Sequence, residues 1–274
     1  SDSRKRIPIA DSKALKLAND SKTRHPLVHL ERGVLAFLKS LASAADLPAT
    51  DAALFESLSA QLDAHPWYGT QPTDLPVGST AGELAIAASR LAASCEAAGV
   101  ELLDLRCHIV NESVFNRTVK ETGSKAEATA LALGHHLREI RNRHAGGAEP
   151  CDLRIVCDQL GGRTQYEGLL ARELPGSRIA PIAESEARSR YTIGQNAIIQ
   201  FMPEAESAHL PVALASMVAK LTRELVMMRF NRYWCAKVPE LKPTAGYSTD
   251  ARRWLTDMRE ILHPEERTAL VRIA

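Results

Sequence analysis

Residues 151–176 read CDLRIVCDQLGGRTQYEGLLARELPG. A short apolar run, Cys151 to Cys157, meets an acid at Asp158, then a turn at Gly161-Gly162, then a segment of helical period from Gln165 to Glu173. A run of that length, closed by an acid and two glycines, has the form of a buried strand leading into a helix. Downstream, Arg178–Ala183 (RIAPIA) and Asn196–Met202 (NAIIQFM) are expected to be strands. Upstream, Val100–Val110 (VELLDLRCHIV) mixes alternation with β-branched residues and is expected to be another. Helical periods fill Lys125–His144, Leu210 to about Ala236, and Thr249 to about Leu262. An alanine-rich helix is expected from Thr80 to Ala98, closed by Gly99. Nearer the N terminus, Leu27, Val28, Leu30, Val34, Leu35, Leu38 and Leu41 recur at helical spacing, and the stretch to about Ala64 reads mainly as helix. Strands alternating with helices predict an α/β fold, a sheet flanked by helices. With no internal repeat and no low-complexity linker, residues 1–274 are expected to form a single domain. It would carry a helical or loop insertion at about 40–80 and a helical part at about 210–274.

The formal net charge is +1, so the chain as a whole is not a basic polymer binder, and any nucleic-acid site must come from local clustering of Lys and Arg. No stretch approaches the roughly 18 apolar residues of a membrane span, and the first residues, SDSRKRIPIADSK, lack the apolar core of a signal peptide. The cysteines, Cys95, Cys107, Cys151, Cys157 and Cys235, are odd in number and form no CxxC pair. Reduced thiols in a cytoplasmic protein are the simplest expectation. Residues 65–78 (HPWYGTQPTDLPVG) are rich in proline and glycine and read as a loop. Its Trp67 and Tyr68 either stack on a base or pin the loop onto the body, and pinning is the commoner role for such aromatics.

Several residues have types and positions suited to chemistry. Asp158 stands where a strand ends beside a flexible turn, a common place for a metal ligand or catalytic acid, although Asp is also a routine turn residue. Glu204 and Glu206 precede the long helix that starts at Leu210. They either complement a helix dipole or, in the case of Glu206, join Asp158 in holding a divalent cation. Hard oxygen ligands suit Mg²⁺ or Mn²⁺. Within the long helix, Ser216, Lys220 and Arg223 are spaced by four and three, which puts them near one face. Met217, Leu221 and Leu225 form an apolar stripe beside them. The polar edge suits phosphate as well as it suits solvent. After the helix, Pro243 and Gly246 set up a turn that presents Tyr247, followed by Arg252 and Arg253. His135-His136 and the other histidines lack metal spacing with cysteine, so zinc is not expected. Neither a P-loop nor a serine nucleophile elbow is found.

In order along the chain, these blocks resemble the type 2 ribonuclease H family. Ala10-Asp11-Ser12-Lys13 resembles the family's DSK-Leu block, and Arg106 to Lys125 occupies the place of the segment leading into the middle helix. Residues 157–176 are similar to the strand end that bears the family's third carboxylate, in its archaeal and eukaryotic style. Residues 205–220 (AESAHLPVALASMVAK) are similar to the block where an acid precedes Ala-Ser-x-x-Ala-Lys, and TAGYST, residues 244–249, to the Lys-Gly-Tyr-Gly-Thr turn. The matches are thin over residues 7–260 and dense in 157–176 and 205–249.

The resemblance implies a ribonuclease H-like mixed central sheet flanked by helices, with a C-terminal helical extension. It also implies an endoribonuclease that cuts the RNA strand of RNA–DNA hybrids, or cuts at ribonucleotides embedded in a DNA duplex, leaving 3′-hydroxyl and 5′-phosphate ends. By position, Asp158 would be the third metal-binding acid and Glu206 the fourth, usually Asp, within a set holding two Mg²⁺ or Mn²⁺ ions roughly 4 Å apart. Lys13, Ser216 and Lys220 would contact backbone phosphates, with Arg223 and Arg252 extending the basic strip. Tyr247 would stack on the sugar beside the ribonucleotide, where the 2′-hydroxyl separates RNA from DNA. The family's Asp-Glu-x-Gly-Arg-Gly block, which supplies the first two acids, has no match in the ten residues before Asp11 or after them. It is expected upstream of Ser1. The alternative is a catalytically inactive ribonuclease H-like module that binds nucleic acid or scaffolds partners.

Overall fold

The computed structural model describes residues 7–41, 47–144 and 152–273. Cys151, at the head of the first expected strand, and residues 42–46, within the expected N-terminal helical stretch, lie outside the described residues. In chain order the elements begin with α1 (Ser12–Leu15), α2 (Val28–Ser40), α3 (Asp51–Ser57), α4 (Ala81–Ala98), α5 (Glu112–Thr122) and α6 (Lys125–His144). Then come β1 (Leu153–Asp158), α7 (Glu167–Glu173), β2 (Ile179–Ala183), β3 (Ser189–Ile193) and β4 (Ala197–Met202). The chain closes with α8 (Ala205–Ala208), α9 (Leu210–Lys237), α10 (Ser248–Asp257) and α11 (Pro264–Leu270). The architecture is mixed α/β, and no helix of the described residues is long and apolar enough to cross a membrane.

The residues fall into two compact units. One comprises Ser1–Cys107 and Ala213–His263, the other His108–Val212 and Pro264–Ala274.

The first unit is helical. α2 buries Leu30, Val34, Leu35 and Leu38, the spacing that marked it in the sequence. Its Ala36 packs on Ala87 and Ala88 of α4, small residues that let two helices approach closely. α4 starts in a full capping box between Thr80 and Glu83 and stops at Gly99 in the left-handed conformation. On α2, a Cβ at Gly33 would lie 2.2 Å from Cε of Met217 on α9, so glycine is what permits that approach. Glu31 of α2 is buried, and its carboxylate accepts the N–H groups of Val77, Gly78 and Ser79. Burial pushes this carboxyl up from its ordinary value, against the pull of those three N–H groups.

A second polar anchor is the ion pair of Asp51 and Arg229, with side chains 0% and 9% exposed. Arg229 donates from Nε to Oδ2 at 2.7 Å and from Nη2 to Oδ1 at 2.6 Å, a bidentate fork. Asp51 Oδ1 also accepts from Thr73 N at 2.9 Å, and Arg229 Nη1 donates to Tyr68 O at 3.0 Å. The loop at 65–78 is thereby tied to α3 and α9. Trp67 is buried and stacks on Trp234, with centroids 5.9 Å apart, so it pins the loop to the body and has no surface for a base. Trp254 of α10 closes the same aromatic group against Phe230 and Trp234.

The second unit holds a four-stranded sheet of order β1-β4-β3-β2. β1 runs parallel to β4, whereas β3 is antiparallel to both β4 and β2. One face, with Ile155, Cys157, Tyr191, Ile199 and Phe201, packs on Ala130 and Leu137 of α6 and on Leu169 and Leu170 of α7. At Gly134 of α6 an added Cβ would lie 2.1 Å from Oε2 of Glu173, which pairs with Arg138. α5 is tied to the C-terminal segment through Asn116, which donates to Val271 O and accepts from Ile273 N, both at 2.9 Å.

Two expectations need correction. Val100–Val110 forms no strand. Val100 and Leu103 are 60% and 67% exposed, so the alternation has no buried face to serve. Its polar backbone bonds elsewhere, with Cys107 N donating to Leu58 O and Leu105 N to the Asp104 carboxylate. The helix expected from Thr249 to about Leu262 spans Ser248–Asp257, and residues 258–262 form turns and a bend instead. β3, which the sequence reading did not identify, completes the sheet.

Replacing one member of a buried, hydrogen-bonded ion pair leaves the other charged and unpaired, at a cost of about 3–5 kcal/mol. Asp51→Ala is expected to lower unfolding stability in urea by that amount. A loss below about 1 kcal/mol would show that water or a neighbour replaces the carboxylate and that the pair does not anchor α9.

Candidate nucleic-acid interface and acid pair

The sequence candidates separate into two groups. Ser216, Lys220, Arg223 and Tyr247 lie in the first unit, and Asp158 and Glu206 in the second.

In the first unit, α9 presents Ser216, Lys220 and Arg223 along one edge, as their spacing required. Ser216 Oγ donates to Ser12 Oγ at 2.9 Å, bringing the DSK segment onto α9. Lys13 lies exposed at the start of α1, where Asp11 Oδ1 accepts from its backbone N–H. Ser12, rather than Lys13, is therefore the residue of that segment that touches α9. Lys220 Nζ donates to Tyr247 Oη at 2.5 Å, and the Arg223 guanidinium lies 4.2 Å from the centroid of the same ring. Tyr247 remains 52% exposed.

The turn bearing Tyr247 is held from several sides. Thr244 exchanges two hydrogen bonds with Asn231 of α9, at 2.8 and 2.9 Å. The Asp250 carboxylate accepts from Thr244 Oγ1 at 2.8 Å and from Ala245 N at 2.6 Å. Arg253, beside it, lowers the Asp250 carboxyl from its ordinary value, aided by those bonds against burial. Gly246 has φ +71°, which a side chain would strain, and a Cβ there would lie 3.2 Å from Arg223 Nη2. Arg252 is exposed on α10, whereas Arg253 is the arginine that braces the turn.

Glu224, which the sequence reading passed over, sits amid the basic edge. Its carboxylate lies 3.0 Å from Lys220 Nζ, 3.2 Å from Arg223 Nη1 and 3.8 Å from Lys16 Nζ. The i,i+4 spacing to Lys220 is the signal by which it was legible. Burial works to lower the Lys220 ammonium, but the bonds to Tyr247 and Glu224 outweigh it and raise the group overall.

In the second unit, Asp158 is the exposed last residue of β1, in register with Met202, the last residue of β4. Ala205 N donates to Asp158 Oδ1 at 3.3 Å, so α8 begins against this carboxylate, and Glu206, the next residue in the chain, is half-buried. Gly161 and Gly162, with φ +55° and +77°, make the turn that follows Asp158. Tyr166 supports that turn from the core. It stacks on Phe201 at 3.7 Å, its hydroxyl accepts from Leu160 N, and its own N–H donates to Tyr191 Oη. Burial, with the Asp158 charge adding to it, pushes the neighbouring Cys157 thiol up to about 12, so it offers no thiolate.

Two carboxylates suit a Mg²⁺ ion that keeps water and takes phosphate oxygens for its other ligands. Among the described residues no group of three or more His, Cys, Asp and Glu is arranged to hold a metal ion. The described residues do not assemble the full acid set of a two-ion site.

The histidines form a cluster of another kind. His108 and His135 stack with centroids 4.1 Å apart, and His136 meets both edge-on. Burial lowers His108, helped by His135 and Arg138. It also lowers His136, helped by His135 and His108 and opposed by Glu139.

Comparison of the chain with protein-family models, with curated proteins and with solved structures finds no match.

Folded-state values depressed below the ordinary histidine value mean that the unfolded chain binds protons first as the pH falls. Stability linked to His108 and His136 is full above about pH 6.5 and is lost as the pH drops through the lower folded values. Denaturant midpoints measured from pH 7.5 to 5 are expected to fall across this window, and less steeply in His136→Gln. An identical slope in that variant would remove the cluster as the cause.

Proposed function

We propose that the chain acts as an endoribonuclease of the type 2 ribonuclease H kind. Its substrate would be an RNA–DNA hybrid or a DNA duplex containing ribonucleotides, cut to give 3′-hydroxyl and 5′-phosphate ends. The arrangement that carries the proposal is the acid pair, with Asp158 at the carboxyl end of β1 and Glu206 just past the end of β4, its parallel neighbour. Carboxyl ends of adjacent parallel strands are where open α/β sheets gather their ligand-binding groups. The ribonuclease H-like identity of the sheet is part of the same proposal, supported by its mixed strand directions and by the position of these two acids in it.

Each residue has a defined part. Asp158 and Glu206 would hold Mg²⁺ or Mn²⁺, which when bound supplies an acidified water and offsets charge on the phosphate. Ala205 N–H, on Asp158 Oδ1, orients that carboxylate and leaves Oδ2 for the ion. In the first unit, Ser216 and Lys220 supply a hydroxyl and an ammonium for backbone phosphates. Tyr247, with Arg223 against its ring, offers an exposed aromatic edge to a sugar. Four cysteines of the described residues are free thiols, which agrees with a cytoplasmic location.

One observation favours a second reading, a ribonuclease H-like module that binds such duplexes without cutting. It is the lack, among the described residues, of a third acid or histidine completing the metal set.

The test is cleavage of a labelled DNA duplex with one internal ribonucleotide by the 274-residue chain, in Mg²⁺ and in Mn²⁺. Cutting 5′ to the ribonucleotide by this chain would mean that other groups supply the first two acids, and Asp158→Asn is then expected to abolish it with duplex affinity retained. Lys220→Gln should weaken binding and shrink the slope of log affinity against log salt by about one. Binding without cutting in either metal leaves the family assignment standing, and only its persistence in a protein that carries the first two acids selects the second reading. Full activity of Asp158→Asn, or the absence of duplex binding, overturns the assignment.

A further inference from the structure

The face of the sheet opposite α6 and α7 carries a guanidinium that nothing in the described residues neutralises. Side chains alternate along a strand. Because Tyr191, Ile199 and Phe201 point into the core, Arg190 and Gln200 point the other way. These two are cross-strand partners in the β3–β4 register. Asp158 shares their face, since Ile155 and Cys157 on the same strand are core residues. From Arg190 to Asp158 is two strands across and two residues along, or about 12 Å between Cα positions. On the same side, Gln200 Nε2 lies 3.3 Å from His209 Nε2.

Arg190 is half-buried, and its Nε is enclosed with no hydrogen-bond partner. Among the described residues no carboxylate pairs with it. The nearby Glu184 instead takes the hydroxyl of Tyr191. An enclosed, unpaired guanidinium N–H is costly, and the group stays charged at any working pH. The expected complement is an anion that accepts two parallel N–H bonds, and a phosphate oxygen pair has that geometry. Carboxylates of the chain fill this role for Arg229, Arg138 and Arg253. Arg32 Nε is likewise enclosed without a partner; what sets Arg190 apart is its place on the sheet face that also carries Asp158.

We propose that Arg190, with the Gln200–His209 pair beside it, is a phosphate-binding subsite next to Asp158. On the nuclease reading, which this inference deepens, it holds a backbone phosphate neighbouring the one that is cut. Arg190 then fixes the register of the strand at the acid pair, as a positioning residue. The Arg190 fork and the carboxylates of Asp158 and Glu206 would meet the strand at successive phosphates.

The test reads Arg190 directly. In ¹⁵N-labelled full chain, the arginine Nε–Hε resonance missing from Arg190→Lys is assigned and followed during titration with inorganic phosphate, with chloride as control. A saturable shift with phosphate alone is expected. In parallel, affinity for an RNA–DNA hybrid is measured against salt. Arg190→Gln should bind about ten- to a hundredfold more weakly, with a salt slope smaller by about one. Arg190→Lys should keep the slope while losing part of the affinity, because it keeps the charge without the fork. No phosphate-specific shift, together with an unchanged slope in Arg190→Gln, overturns the subsite and leaves the nuclease proposal intact. A phosphate shift in a chain that binds no duplex keeps the subsite and ends the nuclease proposal instead.

Discussion

The buried pair of Asp51 and Arg229 sets the register of α9, and with it the whole basic edge. A bidentate pair in a dry site tolerates little displacement, since either charge left alone is expensive. α9 turns by about 100° per residue. A slip of one residue at Arg229 would therefore carry Lys220 and Arg223 off the ring of Tyr247. Such a pair adds little net stability compared with an apolar replacement, whereas breaking it leaves a buried charge uncompensated, so its weight falls on arrangements that separate Asp51 from Arg229. Gly33 leaves room beside it for the end of the Met217 side chain, which a Cβ there would force to shift. The same pair draws in Tyr68 and Thr73, so a proline-rich loop that would otherwise be loosely held becomes a wall of the first unit.

In the second unit an aromatic stack does the equivalent work. Tyr166 lies flat on Phe201, and its two polar ends are satisfied by Leu160 N and Tyr191 Oη. A ring fixed at three points leaves the Gly161-Gly162 turn little freedom, even though both glycines have backbone conformations open to glycine above all. The carboxylate at the head of that turn is aimed by the core beneath it. Tyr191 is itself pushed up to about 12 by burial and by its bond to Glu184, so it stays a phenol and keeps its place as a donor.

Much of this was legible in the sequence where one rule governs. Lys125–His144 shows a clear helical period and is a helix over that span. Thr80, Glu83 and Gly99 mark both ends of α4 through capping chemistry that acts over a few residues. The strands at 153–158, 179–183 and 197–202 were visible as short apolar runs. β3 was not, because SRYTI carries Ser, Arg and Thr, and its strand character comes from two neighbours rather than from its own composition. The reverse error at Val100–Val110 has the same root, since its apolar residues found no sheet to join. Missing β3 also hid Arg190, whose interest lies wholly in its cross-strand position. Spacing on α9 foretold that Ser216, Lys220 and Arg223 share an edge. It could not foretell that Tyr247 lies on that edge, which depends on bonds from Asn231 and Asp250 to a turn far along the chain.

The two basic features differ in how their charge is compensated, and that difference bears on what each can recognise. On α9, Glu224 stands among Lys16, Lys220 and Arg223, one carboxylate against three cations, so the edge is partly compensated before any ligand arrives. A phosphate there must compete with an internal carboxylate, which weakens indiscriminate attraction and favours a ligand that also uses the exposed ring of Tyr247. A net charge of +1 acts in the same direction, giving the chain little long-range pull on a polyanion. Arg190 has no such rival among the described residues, so an anion meets it without displacing anything. Within its own unit each feature thus meets an anion differently: the edge on α9 gives up part of an internal ion pair to do so, and Arg190 does not.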